Sequence, residues 1–157
     1  MLREYRPADE ESVVQVSLRA WAPVFASLEK ALGREIFARL HGDWRQYQAT
    51  AVRRTLADDG MRVWVAEVEG GVVAFIAATS DGERRTGEIS MLAVDPDHQG
   101  EGVGGALIEF ATDWMRRSGI LVAIVETGGD PGHAPARRLY ETAGYTPLAV
   151  ARYFKAL

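Results

Sequence analysis

From Gln99 to Leu107 the chain reads Gln-Gly-Glu-Gly-Val-Gly-Gly-Ala-Leu, placing four glycines within six residues where a strand pattern gives way to a helix pattern. Glycine in a helical turn costs about 1 kcal/mol relative to alanine. Gly102, Gly104 and Gly105 therefore need a compensating reason. Bare backbone supplies one, because the free N–H groups of a helix start can then approach an anion closely, and a pyrophosphate is the natural guest. The other reading is a tight turn with glycine used for packing. That suits one or two glycines better than four.

Gly100, Gly102 and Gly105 formally satisfy G-x-G-x-x-G, and Glu126 stands about 20 residues on, where a ribose-binding acid is expected. The dinucleotide reading fails on two counts. Asp95 to Gln99 separates the motif from its strand, and too little chain follows for a doubly wound sheet. A phosphate-cradling P-loop also fails, since no Gly-Lys-Ser/Thr follows.

The rest of the chain narrows the class. Its 157 residues, 47% hydrophobic and 25% charged, suit one domain (residues 1–157) with a real core. With no cysteine, thiol nucleophiles and zinc–thiolate sites are excluded, and a reducing, cytoplasmic setting fits. No metal site is expected. The start, Met1 to Arg6, does not read as a signal peptide, and the longest apolar runs, Val72 to Ala78 and Ile120 to Val125, are strand-sized. A net charge of −4 without a basic run argues against nucleic acid and mildly favours amines or other cations. No membrane partner is expected.

The hydrophobic periods give an order of elements. A short strand at Leu2 to Arg6 precedes a helix from about Asp9, limited by Pro23. Further helices cover Leu28 to Leu40 and Asp43 to Leu56. The period then shortens to two residues. Strands follow at Arg62 to Val68, Val72 to Thr79 and Glu88 to Val94, then a helix at Val103 to Arg117. A buried strand at Ile120 to Val125, a helix at Ala134 to Ala143, and strands at Tyr145 to Val150 and Ala151 to Phe154 complete a mixed α/β chain.

Three segments resemble a known family. Gln99-Gly100-Glu101-Gly102-Val103-Gly104 is similar to the Q/R-x-x-G-x-G/A signature of the GNAT superfamily of N-acetyltransferases. Leu92-Ala93-Val94-Asp95-Pro96 resembles its fourth strand, and Ala136 to Tyr145 its A-x-x-L-Y-E-x-x-G-F segment. The resemblance covers essentially the whole chain. It implies a central, mostly antiparallel, twisted sheet, splayed at the fourth strand and flanked by helices. It also implies acetyl-CoA as cosubstrate, with Gln99, Gly100, Glu101, Gly102, Val103, Gly104 and Gly105 around the pyrophosphate. Leu92, Ala93 and Val94 would pair with the pantetheine arm as an added strand does. One N–H there could polarise the thioester carbonyl.

Acetyl transfer further needs an amine deprotonated and a thiolate protonated. Tyr140 matches the family tyrosine near the sulfur and is the candidate acid, the alternative being an aromatic packing residue. Where many members carry asparagine, seven residues earlier, this chain has His133. It either replaces that cofactor contact, shuttles protons, or simply opens a helix between Pro131 and Pro135. Glu88 first and Glu126 second are candidates for the amine-side base, each weighed against a solvated strand-end charge. Strict alternation puts Glu88, Ser90 and Leu92 on one face and Ile89, Met91 and Ala93 on the other. Trp21, Phe25, Trp44 and Tyr47 are weaker candidates to line an acceptor pocket, and Asp130 with its flanking glycines could face the same cleft. The implied partners are acetyl-CoA and an amine acceptor, for a monomer or homodimer. The competing reading is a catalytically weak acyl-CoA sensor of the same fold.

Overall fold

A computed structural model describes residues 1–157. Its elements run β1 (Leu2–Glu4), α1 (Glu10–Leu32), α2 (Arg34–His41), α3 (Trp44–Ala57), β2 (Arg62–Val68), β3 (Gly71–Asp81), β4 (Thr86–Val94), α4 (Val103–Arg117), β5 (Val122–Val125) and α5 (Ala134–Thr142). The five strands form one sheet in sequence order. The first three pairings are antiparallel and β4–β5 is parallel. No helix is long and apolar enough to cross a membrane.

The period-two pattern of the strands builds a core on each side of the sheet. Trp64, Ala66, Ala74, Ile76 and Ala78 point to one face and meet Leu107, Ile108, Ala111 and Met115 of α4. Val65 and Phe75 point to the other and meet Val13, Val14 and Val16 of α1 and Val52 of α3. The helices are thus held by apolar stripes rather than by propensity.

Pro23 does not limit the first helix, which runs unbroken from Glu10 to Leu32. A proline removes one backbone donor, but α1 is fixed on both sides of it by buried residues, Val13 to Ser17 before and Phe25 after. The break falls at Gly33, whose φ of 83° no helix continues. Asp43 opens α3 by accepting the N–H of Arg45 at 3.1 Å.

The two C-terminal strands do not form. Residues 145–157 carry no regular structure, and Leu148, Val150 and Tyr153 are largely exposed. Pro147 removes a ladder donor, while Tyr145 N–H is already committed to the carbonyl of Tyr140 at 3.0 Å. As a result β5 is shorter than its apolar run and sits at the sheet edge, with Val122 and Ile124 exposed rather than buried.

A bulge corrects the face assignment in β4. Ala77 pairs with Met91 but Ala78 pairs with Ile89, leaving Ser90 as an extra residue. Ile89 therefore shares its face with Leu92 and Val94, against α4, while Met91 and Ala93 lie against α1 and α3. Glu88, next to Ile89, belongs to the latter side.

Candidate active site

The bulge coincides with the point where the sheet opens. β5 pairs with β4 only from Thr86↔Val122 to Ile89↔Val125. From Ser90 to Val94, the segment that includes Leu92, Ala93 and Val94, the β5 side of β4 has no strand against it. Main-chain groups on such an edge are available to an extended ligand.

The turn beyond β4 is tightly tied. Asp95 caps the turn Pro96–His98 through the N–H of Asp97 at 3.0 Å, and Arg19 of α1 reaches Asp95 at 2.6 Å and Asp97 at 3.0 Å. Gln99 donates its side-chain amide to the carbonyl of Val94 at 3.0 Å, closing the loop on itself. Glu101 is turned toward Nδ1 of His98, 3.2 Å away.

The helix-turn glycines have separate causes, which corrects the single explanation drawn from their number. Gly102 is the N-cap of α4 with φ 83° and ψ 2°, a left-handed conformation that side chains disfavour. Gly104 is buried, and a Cβ there would stand 3.0 Å from Leu139 of α5 and 3.4 Å from Val94. It is a packing glycine that lets α4, α5 and the end of β4 converge. At Gly105 a Cβ would meet nothing within 4 Å. The first N–H groups of α4, those of Val103, Gly104 and Gly105, precede any intrahelical partner. No acidic residue occupies the first turn, so these N–H groups are the ones that could hold an anion such as a diphosphate.

Tyr140 lies on α5 beneath this junction, 8% exposed and packed with the α4-side core. Burial, reinforced by Tyr145, pushes its phenol up to about 12. Their rings meet edge-on at 5.9 Å. Glu88 is exposed, opposite Thr79 and Ile124, and Glu126 is exposed just past β5. His133 is the N-cap of α5, its Nδ1 against Asp130.

Phe25, Phe37, His41, Trp44 and Tyr47 pack on one another, with Phe25 stacked on Trp44 at 4.9 Å. Phe25 is only 6% exposed. They meet at the junction of α1, α2 and α3, where of the proposed acceptor-pocket aromatics Phe25 is core and Trp44, stacked on it, is half-buried. Sequence reasoning missed Ser27, which binds Asp130 across 103 positions, Arg19, and Arg137, which holds the loop carbonyls of Gly128 and Asp130. Only the Asp130–His133 spacing, across a proline turn, carried a local signal.

The site thus combines a mixed sheet opened at its fourth strand with a glycine-capped helix start at the opening. The sequence model of the Acetyltransferase (GNAT) family matches residues 25–145, and the chain belongs to that family. The mycothiol acetyltransferase of Saccharomonospora viridis is 30% identical over 156 residues, 92% of this chain and 45% of that protein. The S-(2-succino)cysteine N-acetyltransferase of Bacillus subtilis is 26% identical over 142 residues, 87% and 78% of the two chains. The solved aminoglycoside 6'-N-acetyltransferase of Acinetobacter haemolyticus superposes with a TM-score of 0.71 at 14% identity, covering 100% of this chain and 98% of its own. This chain spans less than half the length of the mycothiol acetyltransferases it matches.

Proposed function

We propose that the protein transfers the acetyl group of acetyl-CoA to a primary amine of a small molecule, peptide or protein by direct attack in a ternary complex. The observation that carries this reading is the adjacency of an unpaired β4 edge and an uncovered helix N-terminus, joined through the Val94–Gly104–Leu139 contact. Residues Gln99 to Gly105 would hold the diphosphate by main-chain N–H groups, with Gln99 itself fixing the loop. Leu92, Ala93 and Val94 would receive the pantetheine amides.

Acetyl-CoA supplies an activated acyl group, and the protein must orient it and manage protons. Tyr140, held protonated by burial, donates to the leaving sulfur. Glu88, ahead of Glu126, draws the acceptor's ammonium toward the thioester and helps to release its proton. The differing acceptors named for the relatives leave this chain's acceptor to experiment.

Calorimetry should show binding of acetyl-CoA and none of NADH. A panel of primary amines should then include at least one that raises thiol release well above the amine-free rate. Tight acetyl-CoA binding without amine-dependent thiol release would instead identify a sensor.

A further inference from the structure

The loop between β5 and α5 carries a built pair of side chains. Asp130 caps the turn Pro131–His133, its Oδ2 accepting the N–H of Gly132 at 3.1 Å and the hydroxyl of Ser27 at 2.5 Å. Ser27 Oγ in turn accepts the N–H of Gly132 at 2.9 Å, locking the loop to α1. The other carboxylate oxygen meets Nδ1 of His133. Arg137, one turn into α5, donates to the carbonyls of Gly128 and Asp130 at 2.6 and 2.8 Å. The loop wraps the pair so closely that a Cβ at Gly128 would collide with the imidazole and Asp130, and one at Gly132 with Ser27. The Asp130 side chain is 10% and that of His133 21% accessible, unlike a solvated surface pair.

The pairing fixes a tautomer. With Nδ1–H donated to the carboxylate, Nε2 carries the lone pair, and the protein offers it no partner. His133 precedes Tyr140 by seven residues, two turns along the same face of α5 and about 10 Å at 1.5 Å per residue. Two proton-handling side chains therefore lie two helical turns apart, the phenol in the α4-side core and the imidazole against Asp130, which Ser27 of α1 holds.

We propose that His133 accepts the proton of the acceptor's ammonium and that Asp130 is its positioning residue. This rests on the acetyl-transfer reading and supplies the destination of the proton that Glu88 helps to release. The ammonium gives one proton to Nε2, and the imidazolium is stabilised by Asp130. The neutral nitrogen attacks the thioester carbonyl, the C–N bond forms and the C–S bond breaks as Tyr140 protonates the sulfur. The second nitrogen proton restores Tyr140, and His133 returns its own to solvent. The charged and polar groups nearest the ring are Asp130 from the loop and Arg137 from α5, with the Ser27 hydroxyl of α1 bonded to Asp130.

The test is the pH profile of kcat/KM for the fastest amine of the panel, with acetyl-CoA affinity measured alongside. His133→Gln should lose about 10²-fold near neutral pH, with acetyl-CoA affinity unchanged. The deficit should shrink as rising pH deprotonates the amine unaided. Asp130→Asn should move the acidic limb of the profile to lower pH and lower its plateau. A His133→Gln profile parallel to wild type, or a defect confined to acetyl-CoA affinity, overturns the proposal. Should that variant not fold, imidazole ¹⁵N shifts of the intact protein decide: protonated Nδ1 with free Nε2 supports the assignment, and the reverse tautomer overturns it. A wild-type protein that binds no acetyl-CoA would overturn the acetyl-transfer reading itself.

Discussion

Ile89 and Val125 are the last partners across β4 and β5, and the next residue of β4, Ser90, is the bulge against β3. A bulge bends its strand and raises the local twist, so the same residue that breaks the register also turns β4 away from β5. Amides of Ser90–Val94 that point away from β3 should exchange with solvent faster than those of Thr86–Ile89 facing β5. Acetyl-CoA should slow the first group only, as read by hydrogen–deuterium exchange.

The three glycines of the α4 start should respond differently to substitution. Gly102→Val forces a β-branched residue into φ 83°, a strain of about 2 kcal/mol, and should lower Tm by roughly 4–8 °C. Gly104→Ala presses on Leu139 and should also destabilise. Gly105→Ala meets open space and should leave Tm unchanged or slightly raised. Calorimetric melts of the three would show whether packing or backbone freedom dominates.

Tyr140→Phe should reduce kcat by about 10²-fold, as loss of a proton donor does, with acetyl-CoA affinity intact. Because burial holds the phenol up to about 12, its own ionisation should not appear in the wild-type rate profile at or below neutral pH. Unchanged turnover in the variant would remove Tyr140 from the reaction.

His41 should make the packing of α1, α2 and α3 sensitive to acid. Its Nδ1 is buried without a partner, among Phe37, Tyr47 and Phe25 at ring distances of 4.9, 4.8 and 5.3 Å. Burial lowers its affinity for a proton, so below pH about 6.5 the unfolded chain binds more protons than the folded one. Its contribution to stability is complete above that pH and is lost as pH falls toward the folded-state value. Urea midpoints at pH 7.5 and 5.5 should differ less in His41→Leu than in wild type.

Local chemistry was legible in the sequence. The strand at Arg62 to Val68 and the extent of α4 each follow from short-range pattern, and the structure reproduces them. The splayed mixed sheet also matches expectation. What was hidden depends on distant partners. Pro23 looked like a stop because its lost hydrogen bond is local, while the packing that overrides it is not. The parity of β4 was misread because a bulge at Ser90 appears only when β3 supplies a register. The use of Gly104 needed Leu139, 35 residues on, and the His133 pairing acquires its lock from Ser27. The C-terminal alternation of Leu148 and Val150 suggested strands, but alternation without a paired neighbour makes no ladder.

The continuity of α1 through Pro23 makes that helix a calliper. Arg19 grips the lip of the opening that follows β4, and Ser27 grips the lip that follows β5. Eight residues set the jaws, about 12 Å of helix rise. One residue inserted between them would rotate one jaw by about 100° relative to the other and release a lip, so the spacing of the two loops is gauged by a count of residues within one helix.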